Sequence, residues 1–344
     1  MRRKFLIAAG LAVLVLASAA AAGWALLNRA LGPADHTATQ VYFRVEEGDT
    51  VASVLDRAER RGLLRSARAV RLHARLARFE GAVRPGTFRL SASMRGDVLL
   101  RELIEGEPVR RMVTIREGLW KERVADLFKE NGIGGRDEAL ERFADPAAFK
   151  ETAGLPLPDE SLEGYLFPDT YDLPPLIGVE EAIQKMLSAF REKVYEPLGK
   201  PDAETLRRWV VIASMIELEA AKDEERPRIA GVIYNRLERG MPLQIDATVA
   251  YAKGEWGPVS VKDYEIDHPY NTYRIAGLPP GPICSPGFAS IKAAAEPDEH
   301  DYFYYVAMPG GTHSFSGTYR EHLRNIRLSR AAFAQQRTAT ADAP

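Results

Sequence analysis

Cysteine is almost missing from this sequence of 344 residues, in which Cys284 is the single example. A lone cysteine cannot form an intrachain disulfide, and no CxxC or Cys/His spacing suggests a zinc site. Positive charge is not in excess either, since 46 Lys and Arg residues face 48 Asp and Glu residues and the formal net charge is -2. We therefore predict no metal and no cofactor, and no DNA or RNA partner.

One long hydrophobic run stands at the amino terminus. Arg2, Arg3 and Lys4 precede an uncharged stretch at residues 5–27, which is long enough for the roughly 20 residues that span a bilayer. Because basic residues stay on the cytoplasmic side, residues 1–30 are predicted to be a cytoplasmic start and a single-pass anchor in the cytoplasmic (inner) membrane. The rest of the chain would then be exported. A cleaved signal peptide is the alternative, since small residues at 17–22 offer a cleavage site.

A short polar linker at residues 31–40 leads to a predicted α+β module at residues 41–108. Alternating residues predict a strand at 41–45, a turn follows at Glu47-Gly48, and an amphipathic helix ends before Gly62. A similar strand, turn and helix return with Gly118, at a constant offset of 70 residues from Gly48. Such strand-EGD-helix units resemble the LysM glycan-binding module.

The stretch Trp209–Glu219, WVVIASMIELE, predicts a buried helix that ends in two carboxylates. At about 100° per residue, Glu217 and Glu219 point to nearly opposite sides of the helix. Glu219 continues the apolar stripe of Ile212, Met215 and Ile216, and such surroundings would raise its pKa and keep it protonated, as a general acid requires. The alternative is that Glu219 pairs with Lys222 and only closes the helix.

Two irregular segments carry the other candidates. The stretch SLEGYLFPDTYDLPP at residues 161–175 contains Glu163 and Asp169, which could bind a ligand or serve as ordinary capping and solvent-facing acids. Residues 243–287 show little regular pattern, and so much irregular chain in a compact domain is usually functional. Their amides, carboxylates and aromatic rings suit sugar hydroxyls and pyranose faces. His313 stands alone among possible metal ligands, and we expect a structural role for it.

Five motifs, in chain order, extend this interpretation: EGYLFPDTY, ASMIELEA, NRLERGMPLQIDATVAY, YNTYRIAGLPPGPICSPG and THSFSGTYREH. Together they resemble the motif series of the MltG-type (YceG-like) endolytic murein transglycosylases. The resemblance implies an α+β protein with an inner-membrane anchor, a periplasmic LysM-like subdomain at 41–108, a catalytic domain at 109–334 whose central buried helix carries the catalytic glutamate, and a flexible tail at 335–344. It places the catalytic glutamate at Glu219. It also implies substrate-binding positions at Glu163, Gln244, Asp246, Asn271 and Tyr273.

The implied activity is internal cleavage of nascent peptidoglycan strands at the MurNAc-GlcNAc bond. This lyase reaction leaves a 1,6-anhydro-MurNAc end and terminates glycan elongation next to the synthases, the penicillin-binding proteins. One glutamate would act as acid and then as base. Two alternatives remain: a membrane-anchored peptidoglycan-binding protein without catalysis, and a muramidase-type hydrolase with a second acid such as Asp246.

Overall fold

The structure is a computed structural model that describes residues 2–79 and 81–341, with side chains described for residues 6–79 and 81–337. Contacts between Cα atoms divide the chain into two compact units. The first comprises residues 1–111 with 172–176, and the second comprises residues 112–171 with 177–344. Both units mix helices with short two-stranded sheets, so the fold is of the α+β class.

The first unit begins with a long apolar helix. Residues 6–30 of this helix have a mean hydropathy of 2.3 and none of them is buried, so its length and composition are sufficient to cross a membrane. Two antiparallel strands and three further helices follow. The elements are α1 (Arg2–Ala30), β1 (Gln40–Val45), α2 (Val51–Arg60), α3 (Ala67–Leu76), β2 (Gly86–Ser91) and α4 (Gly96–Glu105).

The core of the first unit forms between its sheet and its short helices. Phe43 of β1 pairs with Phe88 of β2 in register, and both rings are fully buried together with Leu55 of α2 and Leu99 of α4. Thr50 starts α2 with a capping box, in which the Thr50 hydroxyl accepts from the Ser53 amide at 3.1 Å.

The second unit is mainly helical, with a short strand pair (β3 and β4) and a β-hairpin (β5 and β6). Its elements are β3 (Met112–Thr114), α5 (Lys121–Glu130), α6 (Arg136–Phe143), α7 (Lys150–Ala153), β4 (Thr170–Asp172), α8 (Val179–Phe190), α9 (Ala203–Glu219), α10 (Arg226–Glu238), α11 (Asp246–Lys253), α12 (Phe288–Ala295), β5 (Tyr304–Met308), β6 (Thr312–Ser316) and α13 (Tyr319–Ala341).

The predicted repeat of strand, turn and helix is present. Helix α5 starts and ends 70 residues after α2. Each copy of the repeat turns at a glycine with a positive φ, which is 84° at Gly48 and 76° at Gly118. Residues with a Cβ atom avoid this conformation. The offset read from the sequence therefore corresponds to a repeated local structure.

Helix α9 is the central helix of the second unit. Asp202 caps its amino terminus by accepting from the amides of Glu204 and Thr205, both at 3.0 Å. A continuous buried run follows from Val210 to Ile216. Gly164 approaches this run so closely that an added Cβ would lie 2.7 Å from Val210, so only glycine fits there. The EGYLFPDTY segment is thereby packed directly on α9.

Two segments differ from the sequence-based expectation. Residues 243–287, expected to be irregular, contain the eight-residue helix α11. The THSFSGTYREH motif, expected to be a turn, forms strand β6 before it enters the last helix. Helix α13 extends to Ala341 and residues 342–344 lie outside the described part of the chain, so the flexible tail at 335–344 stays a prediction.

Candidate active site

Glu219 is the last residue of α9, at the point where the helix emerges from the core into a cavity of about 660 Å³. The walls come from α9, α10, α11, α13, strand β5 and the loops on either side of α11. The lining residues are Glu219, Arg236, Leu243, Gln244, Asp246, Tyr264, Tyr273, Tyr305, Val306, His322, Ile326, Ser329 and Arg330. A cavity of this size holds a ligand of several rings.

The carboxyl group of Glu219 is enclosed and hydrogen-bonded on one side. Burial raises the pKa of Glu219, and the negative charge of Asp246 adds to this, while the hydrogen bond from Tyr305 opposes it. The Tyr305 hydroxyl donates to Glu219 Oε2 at 3.0 Å, which leaves Oε1 for the cavity. The partner of Glu219 is therefore Tyr305, and no ion pair with Lys222 occurs among the described residues. A carboxyl group whose pKa is raised by burial and that borders a cavity is suited to general acid catalysis.

Glu217 lies on the other side of α9, as the helical geometry predicts. Its Oε2 accepts from the Gly287 amide at 2.9 Å and from the Ser290 hydroxyl at 2.8 Å. It also lies 3.3 Å from Arg226 in an ion pair whose two side chains are both buried. All of these contacts attach α9 to α10 and to the start of α12. Glu217 is thus fixed in the packing of the helices, away from the cavity.

Asp246 lies across the same cavity, at the first residue of α11. The Tyr273 hydroxyl donates to Asp246 Oδ1 at 2.6 Å and the Tyr264 hydroxyl does so at 3.3 Å. The two tyrosine rings stack with their centroids 4.1 Å apart. The amino terminus of a helix favours a negative charge, so this position fixes a carboxylate and two aromatic rings at the cavity wall.

Gln244 has a strained backbone at the edge of the cavity. Its φ is 53°, and such a left-handed conformation costs roughly 1–3 kcal/mol outside glycine. The Gln244 amide N–H donates to the carbonyl of Thr272 at 3.1 Å, which keeps the backbone in this conformation while the exposed side chain borders the cavity. Strain of this kind is often found at binding sites.

Two residues that the sequence analysis did not select also shape the cavity. Tyr305 comes from β5, 86 residues beyond its partner Glu219. Arg236 of α10 is buried and donates to the carbonyls of Phe303 at 2.7 Å and Leu243 at 2.6 Å, so it joins the loop before α11 to the segment before β5. Arg236 lies within the NRLERGMPLQIDATVAY motif, and this position is the one feature of the sequence that could have indicated its place at the cavity.

Two of the predicted binding residues lie elsewhere. Asn271 is fully buried, and its side-chain amide donates to the carbonyls of Tyr264 at 3.0 Å and Ile266 at 2.8 Å. It therefore shapes the loop that presents Tyr264 and Tyr273, and it does not line the cavity. Glu163 is also buried and borders a different cavity. The structure thus brings together Glu219, Gln244, Asp246 and Tyr273.

His313 has a structural setting. Its Nδ1 lies 2.8 Å from Oε2 of the buried Glu225, and its backbone N–H donates to Glu225 Oε1 at 2.9 Å. The ring also packs edge-on against Tyr305 at a centroid distance of 5.4 Å. His313 therefore supports the tyrosine that contacts Glu219. Among the described residues, no group of three or more His, Cys, Asp or Glu side chains is arranged to hold a metal ion.

Fold and site together define an α+β protein with one enclosed carboxyl group in a polar cavity lined by tyrosines. Comparison with known proteins specifies this further. Residues 43–328 match the model of the YceG-like family, and the chain belongs to that family. A crystal structure of a YceG-like protein from Listeria monocytogenes shares 28% identity and a TM-score of 0.55, over 84% of this chain and 99% of that one.

Curated relatives carry a functional name. An endolytic murein transglycosylase from Bacillus subtilis is 31% identical over 301 residues, which cover 83% of each chain. Proteins of the same name from two strains of Streptococcus pneumoniae are 32% identical over 314 residues, or 82% of this chain. The match spans 57% of the length of the pneumococcal proteins.

Proposed function

We propose that this protein is an endolytic murein transglycosylase, a lyase that cuts peptidoglycan glycan strands internally at the MurNAc-GlcNAc bond. Membership of the YceG-like family and the names of its relatives support this activity. The observation that carries the catalytic assignment is Glu219, whose pKa is raised by burial and which borders a cavity of about 660 Å³. Relatives with this name make the two alternatives, binding without turnover and hydrolysis, less favoured.

In the proposed mechanism Glu219 acts twice. Its protonated Oε1 gives a proton to the bridging oxygen while the bond from C1 of MurNAc to that oxygen breaks. The resulting carboxylate then takes the proton from the 6-hydroxyl of the same MurNAc as O6 bonds to C1. The products are a 1,6-anhydro-MurNAc end and a GlcNAc with a free 4-hydroxyl, and no water is consumed. Tyr305 holds Oε2 throughout and so orients the other oxygen toward the substrate.

Other cavity residues have supporting roles in this proposal. The transition state of glycoside cleavage resembles an oxocarbenium ion, and the carboxylate of Asp246 would stabilise its positive charge. Gln244 is our candidate for binding the acetamido group, because the donors of Asn271 are already occupied by backbone carbonyls. Tyr273 offers an aromatic face to a pyranose ring and positions Asp246.

Replacement of the acid tests the assignment. Glu219→Gln keeps the size of the side chain and loses the transferable proton, so release of 1,6-anhydro-terminated fragments from uncrosslinked glycan should fall by at least about 10²- to 10⁴-fold. Mass spectrometry of the products distinguishes the anhydro end from a hydrolytic end, which is one water heavier. A well-folded Glu219→Gln protein that still releases anhydro ends at the wild-type rate would falsify the assignment.

We further propose that residues 1–30 anchor the protein in the inner membrane with the amino terminus in the cytoplasm. This rests on the apolar helix at residues 6–30 and on the basic residues that precede it. An alkaline phosphatase fused after Pro344 should then be active, and an inactive fusion would contradict a periplasmic location. Amino-terminal sequencing of the mature protein should start before the helix, whereas a start near Gly23 would indicate cleavage.

The domain assignment is part of the same proposal. Residues 41–108 would be a LysM-like subdomain that serves as a platform for glycan or for docking, and residues 109–334 the catalytic domain. Deletion of 41–108 should weaken binding to glycan strands without changing which bond is cut. Penicillin-binding proteins would be the partners, because strands are cut while they are synthesised. Crosslinking in cells followed by mass spectrometry tests for this contact.

A further inference from the structure

Two further cavities lie in the second unit, one bordered by Trp120 and the other by Glu163. The cavity at Trp120 measures about 490 Å³ and the cavity at Glu163 about 300 Å³, and both are lined by Lys121, Tyr251 and Tyr270. Neither shares a lining residue with the cavity at Glu219. We call the surface formed by Trp120, Lys121, Glu163, Tyr251 and Tyr270 the Trp120 groove.

Aromatic rings form a continuous strip along the groove. Trp120 packs edge-on against Tyr251 at a centroid distance of 6.0 Å, and Tyr251 packs against Tyr270 at 4.8 Å. Trp256 extends the strip, because its ring lies 5.3 Å from that of Trp120. Trp256 is 41% exposed, so part of its ring is open to a ligand at the end of the strip.

Polar atoms beside this strip lack partners. Trp120 Nε1, Glu122 Oε2 and Glu163 Oε1 are buried and have no hydrogen-bond partner among the described residues. Glu122 lines the cavity at Trp120. Buried polar groups are almost always hydrogen-bonded, and each exception needs an explanation. Three such atoms around one groove include a donor on the indole, an acceptor on Glu122 and the carboxyl oxygen Oε1 of Glu163, a combination suited to a polar but uncharged ligand.

Part of the role of Glu163 is structural. Its Oε2 accepts from the backbone N–H of Lys121 at 3.0 Å and from the Tyr251 hydroxyl at 3.4 Å. Lys121 is the first residue of α5. Trp120, at the N-cap of α5, makes no side-chain cap, so Glu163 provides it from a distant segment. This role uses only Oε2. Since burial raises the pKa of Glu163 to about 8, the carboxyl carries a proton at neutral pH, and Oε1 then lacks an acceptor.

We propose that the Trp120 groove binds an N-acetylated hexopyranose ring of the glycan strand. This rests on the proposed function, because the strand that is cut at Glu219 supplies the ring. The apolar face of a pyranose would pack on Trp256, the exposed tryptophan next to Trp120. The acetamido and hydroxyl groups would supply both the acceptor and the donor that the three unpartnered atoms need.

Helix α11 connects the groove with the catalytic cavity. Asp246 at its start lines the cavity at Glu219, and Tyr251 five residues later lines the groove. Five residues advance roughly 7.5 Å along a helix. The loop after α11 has the same division, since Tyr264 and Tyr273 face the cavity at Glu219 while His268 and Tyr270 face the groove. A strand held in the groove is therefore held beside the bond that is cut.

Binding of N-acetylchitotetraose to the full chain in detergent tests the proposal through tryptophan fluorescence. We expect a saturable change in the wild type and about tenfold weaker binding in Trp256→Ala, which loses an exposed stacking ring. Glu163→Gln should bind like the wild type because an amide both donates and accepts, whereas Glu163→Leu should bind about tenfold more weakly. Val261→Ala is the control, since this neighbouring residue is 80% exposed and lines neither cavity. Circular dichroism checks the fold of each variant.

Release of anhydro ends from uncrosslinked glycan is measured alongside. The Trp256→Ala protein should show a raised KM with a smaller effect on kcat, because the cavity at Glu219 is unaltered. Unchanged Kd and KM in Trp256→Ala would overturn the proposal, as would binding of the free stem peptide in place of the sugar. If the sugar binds at the groove but the wild type releases no anhydro ends, the proposed function fails and the groove stands.

Discussion

Glu163→Gln is a sharp test of the electrostatics of the second unit. Glu163 is 2% exposed, and burial raises the pKa of its carboxyl from an ordinary 4.5 to about 8, against the opposing hydrogen bond from the Lys121 amide. Between pH 4.5 and pH 8 the folded state keeps a proton that the unfolded state has lost. The free energy of unfolding therefore falls as pH rises through this interval. Glutamine has no proton to keep, so the variant lacks this contribution.

The size of the effect follows from the interval. Each pH unit is worth about 1.4 kcal/mol for one group, so the full interval of about 3.5 units has an upper bound of roughly 4–5 kcal/mol. For a unit of about this size, one kcal/mol corresponds to roughly 2–4 °C in melting temperature. The melting temperature of the Glu163→Gln protein should therefore rise relative to that of the wild type by up to roughly 8–20 °C between pH 4.5 and pH 8.

Thermal unfolding of the full chain in detergent measures this difference. The informative quantity is the melting temperature of Glu163→Gln minus that of the wild type, at several pH values from 4.5 to 9. Glu160→Gln is the matched control, because Glu160 is exposed and lies three residues away; such a surface substitution should leave the melting temperature close to that of the wild type. If the difference for Glu163→Gln is independent of pH, Glu163 is ionised in the folded protein and the reasoning fails.

Two further substitutions probe the helix that carries Glu219. Tyr305→Phe removes the hydroxyl that donates to Glu219 Oε2 at 3.0 Å. This loss should raise the pKa of Glu219 further, so the alkaline limb of the pH-rate profile should move to higher pH and kcat should fall. An unchanged profile would argue against this contact. Glu217→Gln leaves the buried Arg226 without its buried carboxylate and should cost roughly 2–4 kcal/mol of stability. The Glu217→Gln protein should have a lower melting temperature than the wild type but should cut glycan at near the wild-type rate well below that temperature. Loss of activity in the folded variant would indicate that the catalytic face of α9 is that of Glu217 and not that of Glu219.

Helical geometry made the separation of Glu217 from Glu219 predictable from the sequence. The rotation of about 100° per residue separates Glu217 from Glu219 whatever surrounds the helix, and the structure shows the two in different surroundings. The repeat at an offset of 70 residues was also readable, because Gly48 and Gly118 mark turns that require a positive φ. Local geometry fixes both features, so one sequence suffices to find them.

Contacts between distant segments were not predictable in the same way. Tyr305 reaches Glu219 only because the hairpin of β5 and β6 packs beside the end of α9, and no periodicity indicates such a contact. Asn271 shows the converse difficulty, since a side-chain amide in an irregular segment satisfies loop carbonyls as readily as a ligand. Helix α11 was missed because Thr248 and Val249, both β-branched, weaken its helical pattern, while burial of both residues stabilises it in the fold.

The placement of two cavities along α11 bears on why a strand would be cut internally. An enzyme that bound sugar only at Glu219 would have no means of favouring the middle of a strand over its end. On the proposal made above, rings held in the Trp120 groove contribute binding energy that a terminal sugar lacks, and this energy aligns the scissile bond with Glu219. Helix α11 sets the spacing between Asp246 and Tyr251, because one inserted residue would turn Tyr251 by about 100° away from the groove. The register of this short helix, more than the identity of any one residue in it, therefore couples strand binding to the position of the cut.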